Sequence, residues 1–136
     1  MRVLALDYGS ARTGVAISDA TGTIATPLAV IERVGTEGGF AELCALIAAH
    51  APARVVVGLP QPLAGGDNAQ SRTVVAFVKK LRSQLPLPVV TYDERFTTSI
   101  AQSRGGISAI DARAAAQILE DYLRSVAGAA SGEAHG

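Results

Sequence analysis

Apolar positions fall along this chain in two rhythms, and the change from one to the other marks its elements. Val3 to Leu6 is an unbroken apolar run that ends on Asp7 and the turn-prone Tyr8-Gly9, which predicts a buried strand over residues 1–7. Alternation resumes at Gly14-Val15-Ala16-Ile17-Ser18 and predicts strands over 13–19 and about 24–33, with Ala20-Thr21-Gly22 turning between them. From Thr36 the period lengthens: Phe40, Leu43 and Ile47 recur at helical spacing up to His50, and Pro52 follows the stop. The β-branched run "RVVVGLP" predicts a fully buried strand over 54–59. "QPLAGGDNA" is a loop whose Asp67, with Gln70 three residues on, caps a helix striped by Val74, Phe77, Val78 and Leu81. A strand over 88–93 ends in acid ("VVTYDER"), a short helix over 97–104 stops at Gly105-Gly106, and a last helix runs from 108 to about 126. The small, polar "AGAASGEAHG" that remains, 127–136, predicts a disordered tail outside a single domain over 1–126.

Two short connections, then strands joined through helices, imply an α/β fold: a mixed five-stranded sheet with helices on both faces. At 136 residues, with 49% hydrophobic and 18% charged positions, the chain is one ordinary globular domain. No apolar run is long enough to span a membrane, no signal peptide opens the chain, and Cys44 is the only cysteine, all of which point to the cytoplasm and away from membranes. His50 and His135 are too few for a zinc site. The net charge is zero, unlike a basic nucleic-acid binder, but ten of the twelve basic residues are Arg, whose planar fork matches phosphate where Lys does not.

The candidate chemistry lies in carboxylates at element ends. Asp7 closes the first strand, Asp93-Glu94 the last, and Asp111 falls in the first turn of the final helix. A charge at the end of a buried strand costs free energy unless it is paired or binds a cation, and a cluster of hard oxygen ligands suits Mg²⁺ or Mn²⁺. Asp111 shares a helical face with Ala115, Ile118 and Tyr122, so it is directed towards the sheet. The same spacing makes Ser108 to Asp111 a capping box, the simpler reading on spacing alone. Asp7 as a plain turn residue and Asp93-Glu94-Arg95 as a surface ion pair are the corresponding bland alternatives. "DYGSARTG" is either a tight hairpin or a phosphate-binding turn of the kind that opens the actin and Hsp70 class of ATPases, with Arg12 placed to meet an anion.

Taken together, these stretches resemble the YqgF (RuvX) family, pre-16S rRNA nucleases of the RNase H-like/RuvC superfamily. "LDYGSARTGVAISD" is similar to the family's opening Asp-Tyr-Gly, Arg and Gly pattern, "VVVGLP" to its middle motif, "DERFTTSIA" to Asp-Glu-Arg-x-Thr-Thr, and "DARAAAQILEDYL" to its final helix. The segment before that helix is short here, only "RGGISAI". The resemblance implies an RNase H-like fold and a divalent-metal nuclease that uses Mg²⁺ or Mn²⁺ to hydrolyse phosphodiester bonds in 5′-end maturation of pre-16S rRNA. It implies Asp7, Glu94 and Asp111 as catalytic metal ligands, and Arg12, Arg95, Thr97 and Thr98 beside the scissile phosphate. The partners it implies are RNA, ribosomal precursor particles, or branched or single-stranded DNA, met by a monomer or homodimer. A Holliday junction resolvase-like DNA nuclease is the nearest alternative. An actin-like ATP-binding protein would need two such domains, and a non-catalytic RNA-binding module would not need all three carboxylates.

Overall fold

The computed structural model describes residues 1–9, 11–59, 69–93 and 107–135, and for 59, 69–71, 93, 107–111 and 127–135 it describes the backbone alone. Within them, β1 (Val3–Asp7), β2 (Arg12–Ser18) and β3 (Ala25–Glu32) form the expected antiparallel meander. Then follow α1 (Glu37–His50), β4 (Arg54–Leu59), α2 (Ala69–Gln84), β5 (Val89–Asp93) and a long α3 (Ile107–His135). The sheet order is β3-β2-β1-β4-β5, with β4 parallel to β1 and β5 parallel to β4. The architecture is the mixed α/β sheet expected, and β1, the strand that ends on Asp7, is its middle strand.

Strand alternation divides the core into two layers. Leu4 and Leu6 pack with Phe40, Leu43 and Ile47 of α1 and with Val74, Phe77, Val78 and Leu81 of α2. Val3 and Ala5 face the other way and pack with Val56 and with Ala115, Ile118, Leu119 and Tyr122 of α3. Each fully buried Leu or Ile in these layers contributes about 1.5–3 kcal/mol. The second layer carries alanines on both sides (Ala5 and Ala16 on the sheet, Ala115 and Ala116 on the helix), small side chains that favour close packing of α3 on the sheet.

Local signals account for the element ends. Thr36 caps α1, its Oγ1 accepting from the Gly39 N–H at 3.1 Å, and Ala51 ends the helix in the left-handed region at φ 46°. Pro27 is tolerated because β3 is an edge strand, and the pairing of β2 with β3 shifts register between Val15 and Ala16 opposite it. The apolar stripe of α3 ends near Val126, yet its backbone stays helical to His135, through a stretch rich in alanine, the strongest helix former. The expected helix over 97–104 and the Asp67 cap lie outside the described residues.

Candidate functional site

Asp7 is half-buried at the end of the middle strand, and its neighbours on both sides are glycines. In the antiparallel ladder it stands opposite Gly14, and in the parallel ladder it is level with Gly58, which is in turn level with Tyr92. One row across the sheet therefore reads Gly14, Asp7, Gly58, Tyr92. Asp7 follows the alternation of Val3 and Ala5, so it points to the α3 face. The residues on either side of it are fixed from behind: Leu6 is fully buried on the opposite face, and the Tyr8 ring packs there against Phe77 with centroids 4.6 Å apart. Burial also raises the Tyr8 phenol above its ordinary pKa, so it stays a neutral, apolar anchor.

The turn after Asp7 is tight. A Cβ at Gly9 would come within 2.3 Å of the Arg12 carbonyl oxygen, so only glycine fits. Buried Thr13 closes the turn, its hydroxyl donating to the Gly9 carbonyl at 3.2 Å. Arg12 begins β2, half-buried, level with Glu32 of β3, and the Arg33 N–H donates to the Ala11 carbonyl at 2.9 Å. Arg12 is thus held by strand pairing at the end of the sheet that carries Asp7.

The start of α3 is directed to the same end. Gly22 and Thr23, in the turn between β2 and β3, line one hollow with Glu120, Leu123 and Arg124. That turn lies at the far end of the sheet, where the Ser18 hydroxyl accepts from the Val3 N–H at 2.8 Å. The helix consequently runs from the Asp7 end towards that turn. At about 1.5 Å per residue, position 111 lies about 18 Å back from Leu123. The stretch of β1 from Val3 to Asp7 spans only about 13 Å, so position 111 reaches the level of Asp7; because the helix already starts at Ile107, that position opens its second turn and not the first turn expected from the sequence.

Ala115, Ile118 and Tyr122 are buried against the sheet, and position 111 precedes Ala115 by one turn on that face. Tyr122 also accepts a hydrogen bond from Arg54 Nη1 and meets the Tyr92 ring edge-on at 6.0 Å. The helix begins at Ile107, which puts Ser108 inside the first turn rather than at the cap that a capping box requires.

Glu94, Arg95, Thr97 and Thr98 lie outside the described residues, as does the side chain of Asp111. Asp93, the last residue of β5, is level with Leu59, so the chain leaves β5 at the end of the sheet that carries Asp7. Among the described residues no three His, Cys, Asp or Glu side chains come together. Sequence reasoning did not single out Gly14 and Gly58 as neighbours of Asp7, nor Tyr8 as its anchor. A glycine interrupting the valine run of β4 was the available signal, since strand interiors seldom keep glycine without a reason.

A family model described as "RuvX: Holliday junction resolvase" matches residues 1–125. A Desulforudis audaxviator protein named "Putative pre-16S rRNA nuclease" is 37% identical, over 92% of this chain and 95% of its own. A Streptomyces avermitilis protein of the same name is 39% identical, over 97% of this chain and 92% of its own. Among solved structures, Thermus thermophilus RuvC in complex with a Holliday junction substrate superposes with a TM-score of 0.63 at 16% identity, covering 94% of this chain and 96% of that one. The Fowlpox virus resolvase bound to Holliday junction DNA gives 0.63 at 12% identity, covering 93% and 99%. The two structures establish a shared fold, that of RuvC-like resolvases, and the sequence matches, extending over nearly the whole chain, establish more: the chain belongs to the RuvX family.

Proposed function

We propose that this protein is a divalent-metal-dependent nuclease that hydrolyses phosphodiester bonds in the 5′-end maturation of pre-16S rRNA, residues 1–126 forming the nuclease domain. The observation that carries the reading is the placement of Asp7. A carboxylate at the end of the middle strand, with glycine on both flanking strands and the N-terminal part of α3 at its level, suits an ion-binding position better than a turn residue. The donor chemistry fits as well, because a carboxylate oxygen is the ligand that Mg²⁺ and Mn²⁺ prefer.

The residues that would hold the metal are Asp7, Glu94 and Asp111. Val90 and Tyr92 pack on the α3 face, and the next position of that period is 94, which favours Glu94 over Asp93 as the partner of Asp7. Bound there, the metal supplies charge neutralisation at the phosphate and activation of the attacking water. Asp7, braced by Leu6 and Tyr8, holds its position without the reorganisation a loop would need. Arg12 would contact a phosphate oxygen through its guanidinium, and Arg95, Thr97 and Thr98 would add donors from the segment after β5. The expected partners are RNA and ribosomal precursor particles, and the expected compartment is the cytoplasm; among the described residues no helix is long and apolar enough to cross a membrane.

The description of the matching family keeps a second substrate in view, the four-way DNA junction. Cleavage of matched single-stranded RNA, RNA duplex and four-way DNA junction, each with Mg²⁺ and with Mn²⁺, separates the two. Metal-dependent cutting of the RNA carrying the precursor 5′ sequence supports the proposal. Symmetric cutting of the junction alone transfers the activity to DNA, and no cutting of any substrate with either metal refutes the nuclease reading.

A further inference from the structure

Gly58 interrupts the run Val55-Val56-Val57 in a fully paired, buried strand, where glycine gives up both packing and backbone entropy. Gly14 does the same in β2. Backbone geometry does not call for either, since among the described residues Gly22 is the one glycine with positive φ, at 75°. What the two share is position: both are level with Asp7, one on each flanking strand, on the α3 face. Adjacent strands are about 4.8 Å apart, and Mg²⁺ sits about 2.1 Å from a carboxylate oxygen and keeps several of its waters. The first side-chain atoms on either neighbouring strand would therefore compete with an Asp7-bound ion for its own hydration shell.

We propose that Gly14 and Gly58 are clearance residues, which keep the sheet on both sides of the Asp7 carboxylate free of side chain so that a hydrated divalent cation, and the phosphate it draws in, can lie against it. This rests on the reading of Asp7 as a metal ligand. Their value is in what they leave out. At Gly58 even alanine would put a methyl group into the row between Asp7 and Tyr92, and valine, which strands otherwise favour, would fill it.

The test is binding of Mn²⁺ alone, read as the loss of the free-ion paramagnetic resonance signal on titration with protein. The full chain is compared with Asp7→Asn, Gly14→Ala, Gly58→Ala and Gly58→Val, and melting in metal-free buffer checks each fold. Asp7→Asn should lose the site, Gly14→Ala and Gly58→Ala should bind roughly tenfold more weakly, and Gly58→Val should not bind at concentrations that saturate the parent. If Asp7→Asn binds as the parent does, the metal-ligand reading fails and the clearance claim falls with it. If Asp7→Asn loses binding while the folded glycine variants bind normally, the clearance claim alone is overturned. Should Gly58→Val not fold, Gly58→Ala decides, and failure of that variant to fold as well would show that the glycine serves packing under α3.

Discussion

Two aspartates sit at opposite ends of the β1–β2 pair, and their surroundings differ in kind. Asp19 lies in the turn after β2. Its carboxylate accepts from the Thr21 hydroxyl at 2.6 Å, the Thr23 N–H at 2.9 Å and the Ile24 N–H at 3.1 Å. Those bonds, the Thr21 hydroxyl first, hold it far below the usual carboxylate range. The N-terminal amine of Met1 donates to the Ala20 carbonyl and ties the same turn to the start of the chain. Asp19 is thus occupied by its own loop. Asp7 sits instead in a strand braced from behind, with glycines on both sides and α3 arriving at its level. The two differ in the element that carries the carboxylate: a loop folded around Asp19, and a strand end braced by its neighbours at Asp7.

The largest effect that sharpens this contrast is expected at the helix side of the site. Asp111→Asn keeps the size of the side chain at its place on the helix but is a poor ligand for a hard cation. Cleavage should fall by orders of magnitude, the melting temperature in metal-free buffer should hold or rise, and the extra stabilisation given by Mn²⁺ should disappear. Parental cleavage by Asp111→Asn would remove Asp111 from the proposed metal site.

Next in size is the orientation of α3. Tyr122 is buried between Arg54 and Tyr92, so Tyr122→Ala should cost about 3 kcal/mol, measured by denaturant unfolding. An unfolding midpoint equal to the parent's would mean that Tyr122 does not hold the helix to the sheet.

The chain displays unevenly what these experiments probe. The strands were legible because alternation and β-branched runs are local, and so was α1, from the change of period at Thr36. The inward face of α3 was legible from the spacing of Ala115, Ile118 and Tyr122, which the structure buries. The glycine row was not, because it exists only once β1 pairs with β2 on one side and β4 on the other, and register between distant segments leaves no local mark. Asp19 went unremarked for the opposite reason: a turn aspartate is so common that its donors, Thr21 and Thr23, draw no notice in a polar stretch. The helical backbone beyond Val126 was missed because an apolar stripe signals burial, whereas alanine-rich sequence can be helical without one.

A smaller effect is expected at the proposed phosphate contacts. Arg12→Ala and Arg95→Ala should each weaken RNA binding across sequences and lower the slope of log affinity against log salt by about 0.7 for each phosphate no longer neutralised. Unchanged slopes in both would remove the phosphate role. The smallest effect belongs to Asp19. Its folded-state pKa lies below the ordinary value of 3.8, so its charge stabilises the fold above that pH, and the contribution is lost as pH falls below it. Asp19→Asn should therefore melt slightly lower than the parent at pH 7, with the gap closing in acid; solvent screening in this surface turn keeps the difference small. A gap that widens on acidification would contradict the assignment.

The most direct measurement sets the two aspartates side by side: Mn²⁺-dependent cleavage of RNA carrying the precursor 16S 5′ sequence by the parent, Asp7→Asn and Asp19→Asn, each confirmed folded. Asp7→Asn should lose cleavage by orders of magnitude while Asp19→Asn cuts at close to the parental rate, if Asp7 is a metal ligand. Parental cleavage by Asp7→Asn would contradict that role.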